Sequence, residues 1–221
     1  MHVITLSVLA YRHLTFAMNA ALDFYTSQGY IEINNALRQA FARVDPTHQK
    51  TGSAVLTCTL RIRHYIKDLI THILLKGRLP REHVTLYKFT DHIPYKDAVV
   101  GQEFTDAGFF SQTDNFYSAY QSAKCDGMGC LLHVSWKSLP PALHLREEDE
   151  VLTLPGVRLT VYQVGHQYAD VNVEAGVEDL PEDIFRQFTN DTANNAVKRS
   201  PMLVHVFVHA TTMYDDILSL L

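Results

Sequence analysis

The stretch EDEVLTLPG, from Glu148 to Gly156, joins an acidic run to a branched apolar segment and ends in a turn dipeptide. The branched segment is typical of a short strand, and Pro155-Gly156 is typical of a turn. Residues Arg158–Val164 would form a suitable second arm, so we predict a β-hairpin across this turn. Because side chains alternate along a strand, Glu148 and Glu150 are predicted to face one side, where two carboxylates can stabilise a cation.

The second half of the chain contains further short strands. Val84–Tyr87, Leu131–Trp136 and Leu203–His209 are rich in branched and aromatic residues, which favour strands. Residues 165–200 are polar, and a helix is predicted there from Glu182 to about Lys198. We therefore expect an antiparallel β-core with a polar insertion before its last strand.

Helical periodicity dominates the chain before Pro80. Apolar side chains recur at helical spacing over residues 14–25, 31–41 and 53–76, and Gly77 followed by Pro80 is typical of a helix end. No linker or repeat separates this part of the sequence from the strands. The sequence therefore predicts one α+β domain over residues 1–221: a helical N-terminal lobe, 1–80, packed on a split antiparallel β-sandwich, 81–221.

Overall charge excludes one class of function. The 221 residues contain 19 Lys and Arg against 24 Asp and Glu, a formal net charge of −5. A nucleic-acid or anionic-membrane binder that depends on bulk charge would be basic, so we expect neither partner. A local basic pocket for a small anion is compatible with this balance.

Cysteine and histidine usage predicts no metal centre. Cys58, Cys125 and Cys130 are odd in number, which indicates free thiols. His205 and His209 would lie on one side of the final strand but about 13 Å apart, too far to share an ion. The sequence also lacks the Gly-x-Gly-x-x-Gly and Walker A patterns, so a nucleotide would be held by side chains in a β-core cleft.

Three further segments accompany the acidic stretch. They are Tyr25–Arg38 on the predicted helical lobe, Val84–Lys88 at the end of a strand, and Phe104–Thr113, which contains the run Gly-Phe-Phe-Ser. In this order and with Glu148–Gly156, they resemble mono-ADP-ribosyltransferases of the bacterial-toxin and ecto-enzyme type, whose signature is an arginine, Ser-Thr-Ser and Glu-x-Glu. The resemblance covers roughly Phe24 to Val164. It implies transfer of ADP-ribose from NAD, bound in the β-core cleft, to a protein side chain.

The acidic residues and Ser111 match the catalytic positions of that family. Glu150 matches the glutamate that hydrogen-bonds the nicotinamide ribose and stabilises an oxocarbenium-like transition state. Glu148 matches the upstream glutamate that orients or deprotonates the acceptor, and a pair of glutamates favours arginine as that acceptor. Ser111 matches the first serine of Ser-Thr-Ser, which would hold the catalytic glutamate. Gln112 and Thr113 depart from the next two residues of the motif.

The residues at the NAD-binding positions match the family pattern less closely than the catalytic residues do. Lys88, directly after Tyr87, stands where the family has arginine, and an ammonium does not reproduce the guanidinium fork. The resemblance implies that Lys88 and Arg38 contact NAD. Tyr30 and Asn34 precede Arg38 at spacings of four, so these three residues should share one helix face.

An aromatic side chain stacks on nicotinamide in the family. We assign this role to Tyr120, with Phe116 or Tyr117 as alternatives. Core packing is an equally good explanation for these aromatic residues.

Two other functions are compatible with the same residues. An NAD glycohydrolase would use water in place of the protein acceptor, and would keep Glu150 while tolerating loss of Glu148. A degenerate module would bind NAD or a protein without catalysis, because Lys88 replaces the family arginine.

The resemblance also implies a cellular context. It suggests a secreted effector or toxin that acts in the cytoplasm of a target cell, as a monomer that modifies a target protein. The apolar segment Met1–Ala10 is too short to span a bilayer, has no basic n-region and runs into Tyr11-Arg12-His13, so we expect no cleavable signal peptide and no membrane span.

Overall fold

A computed structural model of the chain describes residues 14–42, 58–78, 81–90, 95, 97–125, 129–145, 149–167 and 203–213. Three features of the sequence lie outside these residues: the segment Met1–Ala10, Glu148, and the predicted helix from Glu182 to Lys198.

The N-terminal lobe is helical, as the periodicity predicts. Residues 14–42 are helical throughout, with a π-helical turn at Tyr25–Gly29 that leads into helix α1 (Tyr30–Ala42). Helix α2 (Leu60–Lys76) is capped by Thr59, whose hydroxyl accepts a backbone N–H at 3.3 Å, and Gly77 closes it. The helical pattern predicted over residues 53–76 is confirmed for Leu60–Lys76, and residues 53–57 lie outside the described residues.

The described strands form two sheets. They are β1 (Arg81–Thr90), β2 (Glu103–Asp106), β3 (Phe110–Gln112), β4 (Cys130–Leu139), β5 (Ala142–Leu145), β6 (Glu150–Thr153), β7 (Val157–Gln167) and β8 (Leu203–Thr212). The larger sheet has the order β1-β4-β8-β7-β2, and the smaller has the order β3-β6-β5. Helix α3 (Phe116–Cys125) follows β3 and packs on β1.

The predicted class, a helical lobe packed on a split β-sandwich, is confirmed. The antiparallel expectation holds for every described strand pair except β4 and β8, which run parallel. Strand β8 lies between β7 and β4, so it is an inner strand of the larger sheet and not an edge strand.

The predicted hairpin across Pro155-Gly156 is wrong. Strand β6 precedes this turn and lies in the small sheet, whereas β7 follows it and lies in the large sheet. Gly156 has a φ of 87°, and its N–H donates to the Gly108 carbonyl at 3.3 Å while its carbonyl accepts from Met213 N–H at 2.8 Å. The turn therefore carries the chain from one sheet to the other.

Two apolar layers hold these parts together. Between the sheets, Phe110 and Val151 of the small sheet belong to the same buried cluster as Trp136 of the large sheet. Between the small sheet and the helices, Leu152 clusters with Leu37 and other buried helical residues. The small sheet is therefore covered on both faces, and a polar cleft lies beside it, next to α1.

Candidate active site

The cleft lies between the helical lobe and strands β1, β3 and β6. Its larger cavity, about 420 Å³, is lined by Tyr25, Thr26, Tyr30, Ile31, Asn34, Asn35, Arg38, Lys88, Phe109, Ser111 and Glu150. A second cavity of about 260 Å³ lies on the side of helix α3. Lys88, Ser111 and Glu150 line both cavities, so these three residues stand where the two cavities meet.

The π-helical turn positions two tyrosines, Tyr25 and Tyr30, in the cleft. Tyr25 and Tyr30 are five residues apart, which in an α-helix would separate them by about 140° around the axis. The wider turn at Tyr25–Gly29 instead brings their rings to a centroid distance of 6.3 Å, and both line the larger cavity. The sequence did not predict this place for Tyr25, because a π turn leaves no simple sequence signal.

Asn34 links the helical lobe to the small sheet. Its Oδ1 accepts the Phe109 N–H at 2.8 Å, and its Nδ2 donates to the Tyr25 hydroxyl at 3.3 Å. Asn34 is buried, so both hydrogen bonds are shielded from water. A Cβ on the neighbouring Gly108 would lie 2.8 Å from Asn34 Oδ1, which explains a glycine at this position.

Arg38 lines the cleft as predicted, but it is already engaged by an acidic partner. Its Nε and Nη2 donate to the two carboxylate oxygens of Asp106 at 2.9 and 3.0 Å. Burial alone would raise the pKa of Asp106, but the hydrogen bonds and charge of Arg38 bring it below its usual value. The same hydrogen bonds raise the pKa of Arg38.

Lys88 points into the cleft rather than to the surface. Its Nζ donates to the Ser111 carbonyl at 2.9 Å and lies 4.8 Å from the centre of the Phe110 ring. Burial lowers the pKa of Lys88, while the negative charges of Asp106 and Glu150 oppose that shift. The Lys88 amino group is therefore held at the junction of the two cavities by groups of β3.

Ser111 and Glu150 lie on neighbouring strands of the small sheet. Ser111 on β3 pairs with Leu152 on β6, and Glu150 precedes Leu152 by two residues on the same strand. Residues two apart on a strand share a face, so Ser111 and Glu150 are diagonal neighbours beside the cleft. Their shared place in both cavities agrees with the predicted pairing, and the hydrogen bond proposed between them remains a prediction.

The backbone directly before Glu150 is not extended, although the predicted alternation of Glu148 and Glu150 requires an extended backbone. Asp149, between them, has a φ of 49°, so the backbone there is left-handed rather than extended. The Asp149 carboxylate accepts from the Asn115 side chain at 3.2 Å, and β6 begins only at Glu150. Glu148 itself lies outside the described residues, and its role stays a prediction.

The aromatic residues after β3 occupy the core. Tyr120 is fully buried, stacks on Phe116 at a centroid distance of 5.9 Å, and lines neither cavity. This position does not match the nicotinamide-stacking role assigned to Tyr120, because a side chain with no exposed surface cannot contact a ligand. Phe116 is equally buried, whereas Tyr117 is only partly buried. Tyr87 lines the second cavity and packs edge-on against Phe116.

Sequence reasoning missed two polar residues of this region. Asp106 stands two positions before Gly108 and accepts its N–H at 3.0 Å, so the only local signal was an Asp-x-Gly turn. Gln112, which replaces the threonine of Ser-Thr-Ser, is buried and accepts from the Trp136 indole at 2.8 Å. This hydrogen bond ties the small sheet to the large sheet, and Gln112 also lines the second cavity.

Neither a metal-binding cluster nor a membrane-spanning helix is present among the described residues. In the part of the chain that the structure describes, no group of His, Cys, Asp and Glu side chains could hold a metal ion. Within the same residues, no helix has the length and hydropathy needed to cross a membrane.

Solved ADP-ribosyltransferases share this architecture. Vis toxin, an ADP-ribosyltransferase from Vibrio splendidus, matches with a TM-score of 0.52 at 14% sequence identity, over 89% of this chain and 73% of that chain. Vis in complex with agmatine gives a TM-score of 0.52 at 14% identity, over 89% and 74%. The enzymatic component C2-I of the C2 toxin from Clostridium botulinum gives 0.51 at 13% identity, over 88% of this chain and 44% of that chain.

At these identities the likeness concerns the fold. The chain has the fold of ADP-ribosyltransferase catalytic domains, as the resemblance implied. No protein-family model matches the chain, and no curated protein matches it significantly.

Proposed function

We propose that this protein is a mono-ADP-ribosyltransferase, which transfers ADP-ribose from NAD to a protein side chain and releases nicotinamide. The observation that carries the proposal is the place of Glu150. It stands with Lys88 and Ser111 at the junction of two cavities, in a chain with an ADP-ribosyltransferase fold. A dinucleotide extended through both cavities would present its reacting ribose to this carboxylate.

The reaction breaks the bond between C1′ of the ribose and the nicotinamide nitrogen, which takes the electron pair and leaves neutral. Positive charge then develops on the ribose, and a carboxylate fixed beside it stabilises this transition state more than the ground state. We assign that task to Glu150. The acceptor nitrogen forms the new bond to C1′ and loses a proton, which we assign to Glu148 as base.

The cleft also carries groups suited to a pyrophosphate. Lys88 on β1 and Arg38 on α1 would supply two positive charges, and Tyr30 and Asn34 line the same cavity from α1. Tyr87 lines the second cavity beside Lys88. We propose that these five residues bind NAD, with no metal ion, because ammonium and guanidinium groups are the usual phosphate partners in proteins.

We propose arginine as the acceptor. A guanidinium is a planar cation that two carboxylates can bind, and the Glu-x-Glu pair supplies them. The Vis complex contains agmatine, which carries a guanidinium group, and this supports the same acceptor class.

Incubation with labelled NAD and a cell lysate tests the proposal. We expect a labelled protein together with nicotinamide release, and mass spectrometry should place the ADP-ribose on arginine. Glu150→Gln keeps the volume and removes the charge, so it should reduce the rate by about 10²–10³. Glu82→Gln, an exposed carboxamide substitution on β1, is the matched control and should leave the rate unchanged.

The outcomes separate the alternatives. Nicotinamide release without a labelled protein indicates an NAD glycohydrolase, in which water replaces the acceptor. One observation supports a non-catalytic module: Lys88 and Arg38 both have internal partners, the Ser111 carbonyl and Asp106. If neither labelling nor nicotinamide release occurs while NAD still binds, that module is correct and the transferase proposal is wrong.

The context of the activity is part of the proposal. A secreted effector or toxin that enters a target cell and modifies a cytoplasmic protein fits the fold of the neighbours, two of which are toxins by name. We propose that it acts as a monomer on that protein and does not bind nucleic acid, given the net charge of −5.

A further inference from the structure

The connection between β2 and β3 receives two side chains from one face of helix α1. Asn34 and Arg38 are one helical turn apart, and both reach residues 106–109. Asn34 accepts the Phe109 N–H, and Arg38 grips the Asp106 carboxylate. This connection leads directly into β3, which carries Ser111. Two side chains of helix α1 therefore fix its position relative to the segment that leads into β3.

The Asp106 carboxylate is itself held in place. One of its oxygens accepts both Arg38 Nε at 2.9 Å and the Gly108 N–H at 3.0 Å, and the other accepts Arg38 Nη2 at 3.0 Å. The Asp106 side chain is 13% exposed, against 48% for Arg38. A shielded, doubly anchored carboxylate thus determines the rotamer of a more exposed guanidinium.

This geometry leaves one edge of the guanidinium outside the pair with Asp106. Nε and Nη2 form the side-on pair with Asp106, and Nη1 makes no hydrogen bond to the residues that the structure describes. Arg38 lines the larger cavity together with Lys88. An arginine pre-oriented in this way loses less side-chain freedom on binding an anion than an unrestrained one does.

We propose that Asp106 is a positioning residue that holds Arg38 with its Nη1 edge toward the pyrophosphate of NAD. The inference rests on the proposed function, because NAD is the ligand it requires. Asp106 makes no contact with the reacting atoms in this arrangement. It acts through Arg38, and its effect is therefore on NAD binding rather than on the chemical step.

A simple counter-charge would act in the opposite direction. If Asp106 only cancelled positive charge in the cleft, its removal would leave Arg38 and Lys88 more attractive to any anion, and NAD would bind more tightly. If Asp106 orients Arg38, its removal releases the guanidinium and NAD binds more weakly. The sign of one change in affinity distinguishes the two roles.

Calorimetric titration of NAD into Asp106→Asn measures that sign. Asparagine keeps the size but offers one acceptor in place of two, so the bidentate pair is lost. We expect the Kd for NAD to rise about tenfold, with kcat changed by less than about threefold. Asp106→Glu restores the charge and should recover part of the affinity. Glu103→Gln, an exposed carboxylate on the same strand, is the matched control.

A double-mutant cycle confirms the route through Arg38. Arg38→Lys keeps the charge without the fork, and it should weaken NAD binding by a similar factor. Combined with Asp106→Asn, it should add little further loss, because both changes remove the same interaction. Thermal unfolding of each variant checks that the fold persists. If Asp106→Asn does not fold, Asp106→Glu tests the proposal, because it keeps the charge and shifts the carboxylate: a counter-charge predicts unchanged NAD affinity, and a positioning residue predicts weaker binding than in the wild type.

The outcomes keep this inference separate from the proposed function. If wild-type protein does not bind NAD, the proposed function is wrong. If it binds NAD and Asp106→Asn binds equally or more tightly, the positioning role is overturned while the function stands. Fully additive losses in the cycle overturn it as well.

Discussion

Lowering the pH from 7 to 5 is expected to destabilise the fold through one pair of histidines at the centre of the larger sheet. His133 on β4 and His205 on β8 are both buried, and His133 Nε2 lies 3.0 Å from His205 Nδ1. Aromatic rings surround the pair: Phe207 stacks on His133 at 4.1 Å, and Tyr87 packs edge-on at 5.4 Å. Two neutral imidazoles can form this hydrogen bond, because one ring nitrogen donates and the other accepts. Protonation of both rings would leave two adjacent buried cations and no acceptor.

The expected loss in the free energy of unfolding follows from the direction of the pKa shifts of the two histidines. Burial, and then the charge of His205, lowers the pKa of His133; burial, and then the charge of His166, lowers the pKa of His205 to about 3. In the unfolded chain both titrate near ~6.5. Below that pH the unfolded state binds protons that the folded state does not, so the free energy of unfolding falls. At pH 5 the loss is about 2 kcal/mol for one histidine and about 4 kcal/mol for both.

Urea denaturation at pH 7.5, 6 and 5 and constant ionic strength measures the effect. The double variant His133→Leu with His205→Leu should lose most of the pH dependence between pH 6.5 and 5. His209→Gln, an exposed position on β8, is the matched control and should keep the wild-type dependence. A wild-type unfolding free energy that is constant from pH 7 to 5, or a double variant with an unchanged slope, refutes the reasoning.

Three substitutions in the cleft give further predictions. Asn34→Ala leaves the buried Phe109 N–H without its acceptor, so the free energy of unfolding in urea should fall by about 2 kcal/mol; a loss below about 0.5 kcal/mol would contradict this. Gly108→Ala places a methyl group 2.8 Å from Asn34 Oδ1, and calorimetry should show weaker NAD binding, whereas unchanged affinity would mean that the contact relaxes freely. Lys88→Met removes a buried amino group from the junction of the cavities, so the Kd for NAD should rise at least about tenfold while the thermal midpoint does not fall. Equal affinity for NAD in that variant would exclude Lys88 from the binding site.

Periodicity predicted the helical face of the cleft correctly. Tyr30, Asn34 and Arg38 follow a spacing of four, and all three line the larger cavity. Spacing of this kind depends only on local helix geometry, which neighbouring residues determine. The partners of these side chains are distant in sequence: Arg38 and Asp106 are 68 residues apart, and Asn34 and Phe109 are 75 apart. No local pattern predicts such pairs.

Strand patterns predicted which segments form strands, but they did not predict which strands pair with each other. The segments around Val151 and Leu159 are both strands, as alternation predicts, yet Pro155-Gly156 separates two sheets instead of joining a hairpin. The same limit applies to Tyr120, since an aromatic residue after β3 is equally suited to a ligand or to the core. Its burial in a cluster with Phe116 and Leu131 came from the packing of α3 on the large sheet.

The sequence by itself determined the elements of this protein and the residue types available for chemistry: a helical lobe, a β-core, an acidic strand entrance, and a lysine where the resembling family has arginine. The tertiary structure decided which of them meet. It brought Lys88, Ser111 and Glu150 to the junction of two cavities and paired Arg38 with Asp106. The reason is physical: helix and strand formation depend on local periodicity, whereas a cleft depends on how buried layers pack, and packing joins residues that are far apart in the chain.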